Sequence, residues 1–137
     1  MSELGNTHSS TSSSDLLHTY HECVERTINS TLDTKGRLAM SVIGMAGEIG
    51  EVSEPIKKYL YHGRSLNSER IQAEVGDVLW YLTALLSTLG LTLEDTIRMN
   101  MDKLMLRYPS GFQAESENPR ITYPLGGVDL VQSYLDR

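Results

Sequence analysis

Two stretches decide the fold: LAMSVIGMAGEIGEV at residues 38–52 and EVGDVLWYLTALL at residues 74–86. In the first, the polar side chains are only Ser41, Glu48 and Glu51. In residues 75–86 they are Asp77, Thr83 and the amphipathic pair Trp80 and Tyr81. A helix that is apolar on nearly every side is a buried helix. The two stretches therefore predict two central helices that carry acidic residues in apolar surroundings.

Helical spacing continues on both sides of this pair, and no segment has convincing strand periodicity. Short connectors favour antiparallel neighbours, so we predict an all-α fold with an antiparallel four-helix bundle-like core. The predicted bounds are a first helix after Ser14 or Asp15, a connector at 32–37, a second helix at 38–62 before Gly63, a third from Asn67 or Ser68 to Leu89 before Gly90, and a fourth from the Thr92–Asp95 capping pair to Tyr108.

The 137 residues suit one domain with two extensions. Residues 1–14 include eight Ser or Thr and two sizeable apolar side chains, a composition typical of disorder. The predicted domain covers residues 15–112. Residues 113–137 form a C-terminal extension, in which a short helix over 128–135 fits the pattern.

Composition excludes several classes of protein. The chain has 12 basic and 18 acidic residues, a formal charge of −6, which argues against binding a nucleic-acid polymer. The single cysteine, Cys23, excludes a disulfide framework, and its place on the apolar stripe of the first helix predicts burial. There is neither an 18-residue apolar run nor a signal-peptide pattern, so we expect a cytoplasmic protein without a membrane partner.

The embedded acids come in two pairs with i, i+3 spacing, Glu48 with Glu51 and Glu74 with Asp77. Buried carboxylates repel one another and require cations. If the central helices are antiparallel, the two pairs face each other and can bind a metal. A set made of carboxylates alone favours Mg²⁺, with Mn²⁺ as a substitute, and Mg²⁺ in such sites commonly also binds substrate phosphates.

Other residues support phosphate chemistry. Gly44, Gly47 and Gly50 recur inside the second helix, where glycine is unfavourable, and predict close helix approach or room beside the carboxylates. Basic and amide side chains that could meet phosphates are Lys57, one to two turns beyond Glu51, and the face formed by Asn100, Lys103 and Arg107.

Four helices of this length cannot fully surround two of their own number. We therefore expect another copy of the chain to complete the core, in a homodimer or a homotetramer.

In these acidic residues and the segments around them, the chain resembles the all-α nucleoside triphosphate pyrophosphohydrolases of the MazG-like family. The family pattern is ExxE, a spacer, then ExxD, and here it reads Glu48-Ile49-Gly50-Glu51, 22 intervening residues, then Glu74-Val75-Gly76-Asp77. The sequence is also similar to the family pattern in four further segments, at 44–48, 77–82, 100–104 and 107–112. The resemblance covers about residues 15–112.

The resemblance implies hydrolysis between the α- and β-phosphates of an NTP or dNTP, giving NMP and pyrophosphate. It implies Mg²⁺ held by Glu48, Glu51, Glu74 and Asp77. Of these, Glu48 or Glu51 is the candidate to orient the attacking water. Lys103 and Arg107 would bind phosphates, Asn100 would contact sugar or phosphate, and Trp80 and Tyr81 would stack on the base.

Two alternatives stay open. A phosphoribosyl-ATP pyrophosphohydrolase or an all-α dUTPase would use the same metal with a different organic pocket. A non-catalytic helical interaction module would keep the metal for stability alone and would release no pyrophosphate.

Overall fold

A computed structural model describes residues 12–112, and this part of the chain is entirely helical outside its connectors. Four helices follow in order: α1 (Ser13–Thr27), α2 (Thr34–His62), α3 (Ser68–Thr88) and α4 (Leu93–Arg107). The predicted all-α class is confirmed. The predictions for residues 1–11 and 113–137 lie outside the described residues.

Each helix begins at a side chain that accepts a hydrogen bond from an exposed backbone N–H of the first turn. Asn67 and Thr92 cap α3 and α4 as predicted, and Gly63 ends α2 in the left-handed conformation. Two predicted starts were wrong. The first helix is capped by Ser12, in a capping box with Asp15, so residues 12–14 belong to the helical domain.

The second correction concerns α2, which begins four residues before the predicted start at Leu38. Asp33 accepts a 2.7 Å hydrogen bond from the Gly36 N–H and caps the helix there. The connector is therefore shorter than the predicted 32–37. The Asp33 cap stabilises the first turn of α2, so this turn includes Gly36 despite the low helix propensity of glycine.

The central pair, α2 and α3, shares the largest helix–helix interface and is antiparallel. Contacts run in opposite directions along the two helices, since Gly44 lies against Tyr81 and Glu54 lies against Arg70. α1 packs across α3, where Val24, Ile28 and Ala84 form the small buried core. This arrangement brings Glu48 of one acidic pair beside both members of the other pair, Glu74 and Asp77.

The exposure of α2 agrees with the expectation that one chain cannot surround its central helices, whereas the burial predicted for Cys23 is wrong. α2 is not buried on all sides, because Val42 is 54 % and Ile43 71 % exposed. Cys23 is exposed rather than buried, since Val24 of α1 and the C-cap residue Ile28 are the ones that enter the core. One chain alone therefore does not enclose its central helices.

α4 does not lie parallel to the central pair. It meets α3 at a bend of 99° and packs mainly against α1, so these residues alone do not close a regular four-helix bundle. Within the described residues, no single helix is long and apolar enough to cross a membrane. Of these residues, only the bent pair of α3 and α4 reaches that length and hydropathy, and only when the two helices are counted together.

Candidate metal and nucleotide site

Three acidic residues meet where α2 faces α3. Glu48, Glu74 and Asp77, called the acidic triad below, each offer a carboxylate oxygen, and these oxygens lie within 4.8 Å of one another. Oxygens on opposite sides of a bound Mg²⁺ are about 4 Å apart, so small side-chain rotations suffice for shared ligation. The donor set, all carboxylate oxygen, fits a hard divalent cation.

The fourth predicted ligand lies elsewhere. Glu51 is not among the residues of the triad, and its carboxylate lies 3.8 Å from the Arg70 guanidinium. Its side chain is 57 % exposed, whereas that of Glu74 is 19 % exposed. Glu51 shares the helix face of Glu48 but turns toward the end of the helix pair where residues 63–67 join α2 to α3. There the Arg70 guanidinium competes for its carboxylate.

A cluster of ion pairs surrounds this position at the end of α2 and the start of α3. Arg70 Nε donates to Glu74 Oε1 at 3.4 Å, and Arg70 Nη2 donates to Glu54 Oε2 at 3.3 Å. Lys58 Nζ lies 2.8 Å from Glu54 Oε1. The hydrogen bond and charge of Lys58, together with the nearby Arg70, lower the pKa of Glu54. We call this end of the α2–α3 pair the ion-pair end; its charged residues are Arg70, Lys58, Glu51 and Glu54.

Two members of the triad, Glu48 and Asp77, line a cavity of about 400 Å³ together with Trp80 and Tyr81. The two aromatic rings meet edge to face at a centroid distance of 4.9 Å. They form a wall beside the carboxylates, as expected of a pocket for a flat, partly apolar group next to a metal. A second cavity of about 320 Å³, between α1 and the start of α4, is lined by neither the triad nor this wall.

Neighbouring residues fix this aromatic wall. Trp80 Nε1 donates a 2.8 Å hydrogen bond to Thr27 Oγ1 on α1. The Tyr81 ring occupies the space beside Gly44 so closely that any side chain there would overlap it. The predicted close approach is thus confirmed at Gly44, whereas a methyl group at Gly47 or Gly50 would meet open space in the chain.

Sequence reasoning missed two residues at this site. Arg70 was not singled out, although its i, i+4 spacing to Glu74 was a readable signal. Tyr20, on α1, was not singled out either. Burial raises the pKa of the Tyr20 phenol, and the Asp77 carboxylate raises it further, so a neutral hydroxyl borders the triad at neutral pH.

The other predicted substrate contacts lie outside the cavity lining. Lys57 is exposed on α2, and Asn100 is exposed on α4. Lys103 and Arg107 are half-buried on α4, and the Nε of Arg107 is buried with no hydrogen-bond partner among the described residues. Within one chain, the structure does not bring the α4 face to the triad.

Comparison with known proteins identifies the family of the chain. The family model of the MazG nucleotide pyrophosphohydrolase domain matches residues 40–112, which include the triad, the aromatic wall and all of α4. The chain belongs to this family. The match begins inside α2, so α1 lies outside the matched region although it contributes Thr27 and Tyr20.

One curated relative is the "Gene 37 protein" of Mycobacterium phage L5. It is 33 % identical over 86 residues, which cover 59 % of this chain and 75 % of the phage protein. No solved structure gives a significant match to the chain.

Proposed function

We propose that the protein is a Mg²⁺-dependent nucleoside triphosphate pyrophosphohydrolase, which cleaves the bond between the α- and β-phosphates of an NTP or dNTP. The products are NMP and pyrophosphate. One observation carries the proposal: two members of a carboxylate triad suited to a divalent cation, Glu48 and Asp77, line one cavity with two aromatic rings, in a chain of the MazG family. A metal for the phosphates and a wall for the base then lie side by side.

Glu48, Glu74 and Asp77 would hold Mg²⁺, and Glu51 would join them by turning away from Arg70. Mn²⁺ would serve as a substitute, because it accepts the same oxygen ligands. When bound, the metal supplies neutralisation of phosphate charge and a lowered pKa of coordinated water.

The remaining steps belong to side chains. Glu48 or Glu51, at the edge of the carboxylate cluster, would orient the attacking water as general base. Trp80 and Tyr81 would stack on the base, with Trp80 held in place by Thr27. Phosphate contacts would come from Lys57 and from the face of α4 that carries Asn100, Lys103 and Arg107.

A second copy of the chain would complete this site. Two observations support this: α4 packs mainly against α1, and both α2 and α4 carry exposed apolar side chains. A homodimer or homotetramer would cover them. In that assembly, the α4 face of one copy would reach the triad of the other. The side chains concerned are Val42, Ile43 and Ile49 on α2 and Met101, Met105 and Leu106 on α4.

Mixing two inactive variants tests this shared site. Asp77→Asn removes a triad ligand and Lys103→Ala removes a phosphate contact, so each is expected to be inactive alone. If the residues meet across copies, refolding the two together restores one intact site per mixed pair and part of the activity. No recovery in pairs shown to be mixed by native mass spectrometry would place Lys103 outside the partner's site.

The substrate test is pyrophosphate and NMP release across all canonical NTPs and dNTPs, several modified ones and phosphoribosyl-ATP, with and without Mg²⁺. The proposal expects stoichiometric NMP and pyrophosphate that disappear with EDTA. Activity on phosphoribosyl-ATP or dUTP alone would assign the narrower specificities. Mg²⁺-dependent melting without product from any nucleotide would instead support the non-catalytic module.

A further inference from the structure

Arg70 is the one basic side chain of the described residues with ion-pair contacts to both predicted metal-ligand pairs. Its guanidinium contacts Glu74 of the triad, the predicted ligand Glu51 and the neighbouring Glu54. These carboxylates come from both central helices. Neither the water-activating nor the base-stacking role assigned above explains an arginine at this position.

We propose that Arg70 is an exchangeable counter-ion, which occupies carboxylates of the site in the metal-free protein and yields them when Mg²⁺ binds. The inference rests on the proposed metal centre and deepens it. It makes Arg70 a positioning residue that sets the metal affinity, because the guanidinium and the cation compete for Glu51 and Glu74.

The geometry shows why this arginine can exchange its partners. Its contacts of 3.3, 3.4 and 3.8 Å are longer than a strong charge-assisted hydrogen bond, and its side chain is 43 % exposed. Its backbone is fixed independently, since the Arg70 N–H donates to the Asn67 cap at 2.9 Å. The side chain can therefore swing toward solvent without disturbing the start of α3.

Two effects of removing Arg70 oppose each other, and their sizes decide the direction. Losing a positive charge beside a divalent cation strengthens binding of that cation, by about tenfold at a separation of several ångströms in a partly exposed site. Losing the orientation of Glu74 weakens binding less, because burial, which leaves 19 % of this side chain exposed, already restricts its rotamers without Arg70. Metal binding is therefore expected to tighten.

Trp80 gives a direct readout, because it is the single tryptophan of the chain and lines the cavity with Glu48 and Asp77. The experiment titrates the full-length protein with Mg²⁺ alone and follows tryptophan fluorescence, with calorimetry in parallel. Arg70→Gln removes the charge and keeps a polar side chain, and Arg70→Lys keeps the charge. Arg98→Gln is the matched control, since Arg98 pairs with Glu94 at i, i+4 on α4, outside the site.

The expected result is a Kd for Mg²⁺ about tenfold lower in Arg70→Gln, with Arg70→Lys and Arg98→Gln within about twofold of wild type. Without Mg²⁺, Arg70→Gln should also melt below wild type, and saturating Mg²⁺ should close that gap. A variant that folds only with Mg²⁺ supports the inference in the same direction, since the metal then replaces the arginine.

A Kd in Arg70→Gln equal to or higher than that of wild type overturns the inference and leaves the proposed function standing. An equal tightening in Arg98→Gln also overturns it, because the effect would then come from net charge. If wild-type protein binds no Mg²⁺ at all, the metal centre itself is absent, and both this inference and the proposed function fail.

Discussion

The two ends of the α2–α3 pair are held together in different ways. At one end, the Tyr81 ring packs against Gly44 and the Trp80 indole is bonded to Thr27, next to the small core that α1 and α3 share. At the other, the ion-pair end, Arg70 and Lys58 pair with partly exposed carboxylates. The acidic triad lies between the two.

This contrast separates two tasks. Packing at the aromatic end permits one arrangement, so it fixes the shape of the cavity. Exposed ion pairs contribute little to stability, and their partners can exchange. A metal that binds between the ends can therefore rearrange the charges on one side while the wall on the other side stays in place.

The largest expected effect lies between the ends, at the triad. Asp77→Asn and Glu51→Gln should each lower Mg²⁺-dependent pyrophosphate release by at least about 100-fold, because each removes a charged ligand or water-orienting group. Far-UV circular dichroism should show the helices intact. Glu22→Gln, at an exposed position of α1 outside the site, is the control and should keep its activity. Full activity in both site variants would contradict the metal assignment.

The aromatic end predicts the largest loss of stability. Gly44→Ala should lower the free energy of unfolding by about 1–3 kcal/mol, because the new methyl group overlaps the Tyr81 ring and forces it to move. Urea unfolding followed by circular dichroism measures this. Gly47→Ala has open space in the chain and should raise stability by about 1 kcal/mol through helix propensity. Equal effects at the two glycines would refute the role of Gly44.

The hydrogen bond that holds Trp80 predicts a smaller effect. Thr27→Val should cost about 1 kcal/mol, because the indole N–H loses its acceptor. It should also shift the Trp80 emission. Thr96→Val is the matched control, since Thr96 bonds only to the carbonyl of Thr92, one turn earlier in the chain. If the two valine variants lose the same stability, the Trp80 bond contributes nothing measurable.

The ion-pair end predicts the smallest effect. Lys58→Ala should leave the melting temperature unchanged at physiological salt, because its pair with Glu54 is exposed and screened. The lowered pKa of Glu54 means that any stabilisation is present at neutral pH and is lost as the pH falls through that pKa. Melting curves from pH 7 to pH 3 at low salt check this. A large drop at pH 7 would show that this end also fixes the structure.

Much of the architecture could be predicted because local signals carried it. The caps at Asn67 and Thr92 and the stop at Gly63 are short-range patterns. The missed start of α2 was a competition between a favourable Asp33 cap and an unfavourable Gly36, which the cap won. The 99° bend before α4 depends on tertiary packing and left no comparable signal.

The site was predictable in its composition and less so in its geometry. Spacing along the two helices identified Glu48, Glu74 and Asp77, which the structure brings together. It could not show that Glu51 turns toward Arg70, because that depends on which cation lies nearest in space. It also could not show that the α4 face lies away from the triad within one chain, because that depends on the bend between α3 and α4.

The most direct measurement of the central claim is a crystal structure with Mn²⁺ and a non-hydrolysable nucleoside triphosphate, recorded at the manganese absorption edge. We expect an anomalous peak bounded by Glu48, Glu74 and Asp77, with the triphosphate at the metal and the base against Trp80 and Tyr81. A structure with the nucleotide and metal bound elsewhere, or with no peak between these three carboxylates, would contradict the account.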